Sequence, residues 1–195
     1  MRREPTRAST NPAGEQADPD SDPETAARAI CLRLLTDRAR TRAELAGVLR
    51  KRGIPDSVAE GVLSRFSEVG LIDDATFAEQ WVRTRHSTRG LARRALAAEL
   101  RRKGVDGEVA GQAVAALDRD SEAQRARELV DRRLRTLSAN DARVVPRLVG
   151  MLARKGYPSG LSYQVVREAL REHGVDGVDG VPDEADFELD HLGDS

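Results

Sequence analysis

The chain has 195 residues, 39% apolar but only 3% aromatic and 33% charged, and 29 of its 32 basic residues are arginine. Strands need β-branched and aromatic residues, whereas Ala, Leu, Arg and Glu dominate here, so composition argues against a sandwich or barrel and for an all-α fold. No apolar run approaches the roughly 18 residues needed to cross a bilayer, no hydrophobic signal region follows Met1, and Cys31 is the single cysteine. A cytoplasmic protein without disulfide framework or thiolate metal cage is expected.

The formal net charge of −1 conceals an asymmetry. Residues 1–23 contain Pro5, Pro12, Pro19 and Pro23, and no large apolar residue after Met1. Such a segment cannot bury a core, so a disordered N-terminal tail is expected. Residues 174–195 hold eight Asp/Glu and no Lys or Arg, leaving 29 basic against 20 acidic residues in 24–173, a net +9. A basic body with an acidic, disordered tail suggests a polyanionic partner.

Within the body a pattern recurs: Leu49-Arg-Lys-Arg-Gly53, Leu100-Arg-Arg-Lys-Gly104 and Leu152-Ala-Arg-Lys-Gly156, with the glycines 51 and 52 residues apart. A period near fifty predicts a repeat array. Each copy reads as three helices, giving three-helix repeats over 24–72, 73–118 and 119–173. In the first, a helix near 24–36 presents Ile30, Leu34 and Leu35. Thr41-Arg-Ala-Glu44 is a capping box opening a second helix that buries Leu45, Val48 and Leu49 and stops at Gly53. A third helix follows Pro55-Asp56 and is expected to bury Val58, Val62, Phe66 and Val69. The second copy repeats this with Phe77, Trp81 and Val82, then Leu96 and Leu100, then Val109, Ala113 and Leu117. The third uses Ala126, Val130 and Leu134, then Val145, Leu148, Val149 and Leu152, then Leu161, Val165 and Leu170. Three such bundles on short linkers predict an elongated, curved array offering long surfaces rather than a deep pocket.

Catalytic machinery is missing from the sequence: there is no phosphate-cradling Gly-Lys-Ser/Thr loop, no Gly-x-Ser-x-Gly elbow and no His-Glu-x-x-His. His86, His173 and His191 stand apart, so no metal site, cofactor or enzymatic activity is expected. Cys31 reads as a small core residue. Asp73-Asp74 is the one acidic doublet that could hold a cation, but both precede a helix, where one can cap the first amides and the other meet the positive dipole end.

The basic clusters are the candidate site. Arg50, Lys51 and Arg52, then Arg101, Arg102 and Lys103, then Arg154 and Lys155 each close a helix, where the dipole favours one cation better than three. A richer run, Arg83, Arg85, Arg89, Arg93 and Arg94, leads into the middle cluster. Arginine binds phosphates and carboxylates bidentately, though a solvated basic face is the competing reading. The third helix of the first copy offers Glu60, Ser64, Arg65 and Glu68 outward, a poor major-groove reader, so contact with nucleic acid is expected to the backbone, without sequence preference.

Gly70-Leu-Ile-Asp-Asp-Ala-Thr-Phe-Ala-Glu-Gln-Trp-Val-Arg-Thr-Arg85, followed by Gly90 and Ala98-Glu-Leu-Arg-Arg-Lys-Gly-Val105, resembles the central signature of the bacterial regulatory RecX family. Leu148-Val-Gly-Met-Leu-Ala-Arg-Lys-Gly-Tyr157 resembles its last repeat, with Tyr157 where Phe is more typical. The resemblance covers about residues 26–172 and leaves both tails outside. It implies a non-enzymatic modulator of the recombinase RecA in homologous recombination and DNA repair, built from three three-helix repeats. Such a protein would lie in the RecA filament on single-stranded DNA and lower its ATPase, extension and strand exchange. No catalytic residue is carried over. Asp73, Asp74, Phe77 and Trp81 match the signature and read as cap and core, while Arg85 and Lys103 match it and are expected to be exposed for contact. A helix-turn-helix-like transcription regulator is the alternative. A monomer is expected, since no apolar heptad seam is present. The acidic tail reads either as a tethered competitor for the basic surface or as a solubilising end.

Overall fold

The computed structural model describes residues 22–136 and 143–174; the expected tails fall outside these, apart from their inner ends at Asp22, Pro23 and Gly174. Among the described residues there are nine α-helices and no strand: α1 Pro23–Asp37, α2 Arg42–Lys51, α3 Asp56–Glu68, α4 Asp74–Arg89, α5 Arg93–Arg102, α6 Gly107–Ala115, α7 Arg119–Leu134, α8 Val144–Arg154 and α9 Ser159–Glu172. The chain forms two compact units, one of residues up to Ala39 with Leu45–Leu71, the other of Arg40–Glu44 with residues from Ile72 onward.

In the first unit α1 packs on α3. Helix α1 begins at Pro23, whose missing N–H costs nothing at a first helical position, and Asp22 caps it by accepting from the Thr25 amide. Ile30, Cys31, Leu45, Leu49, Val62 and Phe66 are buried. Burial alone raises the Cys31 thiol pKa, in keeping with a core residue. Apolar expectations are corrected at three positions of this unit. Val69 is 57% exposed, because α3 ends at Glu68 and the chain turns away through Gly70 at φ +73°; Leu63, one position round the helix from Val62, is buried in its place. Val48 and Val58 are only half-buried.

The second unit holds two apolar clusters. Phe77, Ala78, Val82, Leu96, Leu100, Ala110 and Ala113 gather α4, α5 and α6. Val130, Leu148, Leu152, Tyr157, Val166 and Leu170 gather α7, α8 and α9, and fully buried Ala92, at the entry to α5, joins that second cluster. Burying one Leu stabilises by about 2 kcal/mol, so these clusters supply the main cohesion. Asp73 and Asp118 start α4 and α7 by accepting the amides of Thr76 and Ser121 at 2.8 and 2.6 Å, with the Thr76 and Ser121 hydroxyls adding a second bond each. These bonds hold both carboxyls below the usual carboxylate range.

Candidate protein and nucleic-acid interface

The thirteen basic candidates separate into residues committed within the chain and residues turned outward. Lys103 belongs to the first group. Its carbonyl accepts from the Thr41 hydroxyl at 2.7 Å, its ammonium meets Glu44 at 2.7 Å and lies 4.3 Å from the centre of the Trp81 ring and 5.4 Å from that of Phe77. Glu44 and Thr41 also close the expected capping box, each accepting the other's backbone amide. Arg85, one helical turn beyond Trp81, places its guanidinium 4.1 Å from the same ring and 3.7 Å from Glu99, which accepts the indole N–H at 2.8 Å. The two side chains are 17% and 22% exposed. The expectation that Arg85 and Lys103 stand exposed is therefore corrected: the aromatic face attracts cations, and the acids beside it hold them there.

The aspartate doublet divides its work. Asp73 caps α4, while Asp74, in the first turn of that helix, accepts the Arg42 amide at 2.9 Å. Both carboxylates are thus spent on backbone amides, and among the described residues no group of three or more His, Cys, Asp or Glu could hold a metal ion.

Lys155 and Arg93 repeat this pattern between the two clusters of the second unit. The Lys155 carbonyl accepts the Ala92 amide at 2.9 Å, its ammonium donates to the Arg89 carbonyl at 2.5 Å, and the Tyr157 hydroxyl donates to the Gly90 carbonyl at 3.2 Å. Desolvation, then the charges of Arg125 and Arg132, lower the Lys155 pKa. Glu122, 3% exposed, accepts the Arg93 amide at 2.9 Å and its guanidinium at 2.9 to 3.0 Å, so a residue from α7 caps α5. Gly156 lies at φ +87°, where a Cβ would come within 2.5 Å of the Ala95 nitrogen; at Gly104 it would meet the Ala43 Cβ at 2.2 Å. The recurrent Lys-Gly ending is in these two places a docking device: a lysine carbonyl takes a polar hydrogen and a glycine admits close backbone approach.

Arg83, Arg89, Arg94, Arg101 and Arg102 on α4 and α5 are exposed, as are Arg50, Lys51 and Arg52 in the first unit and Arg154 in the second. Arg50 faces Asp56 only at 3.9 Å. These nine are the exposed members of the thirteen. The structure adds three that the cluster pattern missed. Arg133, Arg143 and Arg147, with Arg154, Pro146 and Met151, line a groove of about 720 Å³ at α7 and α8. A sequence signal existed: at about 100° per residue, positions 143, 147 and 154 fall within some 40° of one helix face.

Among the described residues no helix is long and apolar enough to cross a membrane. Comparison with known proteins places the chain. Family models for the first, second and third three-helix domains of RecX match residues 27–66, 73–114 and 120–166. The regulatory protein RecX of Streptomyces coelicolor is 54% identical over 170 residues, covering 87% of this chain and 90% of the relative. Those of Thermobifida fusca and Mycolicibacterium smegmatis are each 55% identical, over 85% and 82% of this chain and 89% and 87% of the relative. The crystal structure of RecX from Lactobacillus salivarius shares the fold at a TM-score of 0.68 with 21% identity, over 75% of this chain and 96% of that one. A second RecX crystal structure gives 0.66 at 24% identity, over 75% and 72%. With three helix triplets matched in order and relatives above half identity along most of the chain, the protein belongs to the RecX family of regulatory proteins.

Proposed function

We propose that this chain is a non-enzymatic regulator of homologous recombination and DNA repair that binds the cytoplasmic RecA filament on single-stranded DNA. In this role it lowers RecA ATP hydrolysis, filament extension and strand exchange. The observation that supports this reading most is the match of all three domains to RecX, since the resemblance implies RecA as the partner. The exposed arginines on α4 and α5 suit a surface of mixed phosphate and carboxylate, which guanidinium forks engage bidentately. Arg83, Arg89, Arg94, Arg101 and Arg102 are assigned to that contact, with Arg50, Lys51, Arg52 and Arg154 contributing. Arg85, Arg93, Lys103 and Lys155 are assigned to holding the helices that carry them. The alternative of a sequence-reading helix-turn-helix gains no support from α3, whose outward Arg65 faces Glu68 at 3.4 Å.

The test is a titration of the protein into the steady-state ATPase of the cognate RecA on single-stranded DNA. Suppression at substoichiometric protein is expected, because one blocked filament end stops many later subunits. Undiminished hydrolysis at equimolar protein would overturn the reading.

A further inference from the structure

Among the described residues the groove at α7 and α8 is lined by four arginines together with Met151 and Pro146, and none of these six is acidic. Its chemistry fits a strand in which carboxylates alternate with apolar side chains. The end of this chain has that composition: Asp183-Glu-Ala-Asp-Phe-Glu-Leu-Asp-His-Leu-Gly-Asp-Ser195 carries six carboxylates interleaved with Phe187, Leu189 and Leu192. We propose that this acidic segment docks in the groove of its own chain, its carboxylates on Arg133, Arg147 and Arg154 and its apolar residues against Met151 and Pro146.

Three features support the assignment. The pairing is charge-complementary, and arginine binds carboxylates in two-pronged fashion. The point of departure is close, because α9 packs on both α7 and α8, and Glu172 at its end meets Arg127 of α7 at 3.0 Å or less. From Arg127 to Arg133 is six residues along α7, about 9 Å at 1.5 Å per residue. The eight residues Val175–Pro182 can span up to about 28 Å, so they reach. The groove also has two apolar members, Met151 and Pro146, able to receive Phe187 and Leu189. Tethering gives an effective concentration of order millimolar. A site with an intrinsic dissociation constant near 0.1 mM would then be about nine-tenths filled, weakening any competing polyanion roughly tenfold. The proposal does not depend on RecA being the partner.

The test compares two ¹⁵N-labelled full-length chains by amide chemical shift, the native one and D183N/E184Q/D186N/E188Q/D190N. Docking predicts shifts at Arg133 and along residues 147–154 on neutralising the tail. The same residues should move when the native chain is taken to about 1 M salt, where the Debye length falls to about 3 Å. The free peptide Asp183–Ser195, added at millimolar concentration to the neutralised chain, should restore the native positions, and R147E/R154E should make neutralisation silent in the groove. A single-stranded dT oligonucleotide should bind the groove about tenfold more tightly once the tail is neutralised. Shifts confined to residues 175–195 would overturn the proposal. So would equal oligonucleotide binding by both chains, which would assign the groove to nucleic acid alone.

Discussion

Three helices of this protein end in nearly the same words, yet the endings behave differently. At α5 and α8 the lysine carbonyl accepts a hydrogen from Thr41 or Ala92, the ammonium is drawn inward, and the glycine lies where a methyl group would strike Ala43 or Ala95. At α2 the lysine and arginine are exposed, and a Cβ at Gly53 would meet nothing within 4 Å among the described residues. All three glycines share a positive φ, so each stops a helix. Only two also form a seam. A recurrent motif thus records a repeated local need, the left-handed stop, on which a second role is laid where another backbone comes close. In a basic protein this separates neighbours in sequence, since a lysine in such a seam is held by groups of its own chain while the arginines beside it at 101, 102 and 154 are exposed.

The contrast can be broken most sharply at Gly156. Gly156→Ala combines a left-handed alanine with a contact of 2.5 Å to backbone, and should destabilise the second unit by about 3 kcal/mol, read as a fall in the urea midpoint. Glu122→Ala comes next: it strips the cap from α5 and leaves the Arg93 guanidinium without its partner, costing about 2 kcal/mol. Gly53→Ala carries only the conformational penalty, with open space around the new methyl group, and should cost about 1 kcal/mol. A result equal to that of Gly156→Ala would remove the distinction between the two endings. Asp73→Ala should cost about 1 kcal/mol at neutral pH through loss of the α4 cap. Because the Thr76 amide and hydroxyl lower the folded pKa of this carboxyl, its contribution is present above the ordinary value near 4 and is lost as pH falls through the lowered one. The gap between wild type and Asp73→Ala should therefore narrow in acid, measured as melting temperature against pH. Smallest of all, K51E/R52E should leave stability within about 0.5 kcal/mol.

Helix content, the three triplets of helices, the Asp73 cap and the Thr41–Glu44 box were legible in the sequence because they depend on short-range periodicity and on side chains reaching their own backbone. What lay beyond the sequence was long-range. Nothing in the spacing of Lys103 announces Thr41, 62 positions away, nor does Arg93 announce Glu122. Charge counting therefore placed Arg85, Arg93, Lys103 and Lys155 among the contact residues with their exposed neighbours. Trp81 shows the same limit: expected as core, it is half-buried and gathers Arg85, Lys103 and Glu99 around it. The arginine groove was missed for a different reason. Its members are spread along α8 and at the end of α7 rather than adjacent in the chain, and helical-face arithmetic would have collected three of the four.

The division between committed and outward arginines is tested most directly by R89E/R94E/R101E/R102E in the RecA ATPase assay, with a thermal melt of the same sample. The account predicts a melt like that of the wild type, because none of the four side chains is buried, together with loss of suppression at protein levels where the wild type suppresses. Full suppression by this folded quadruple variant would contradict it and return these residues to an uninvolved solvated face.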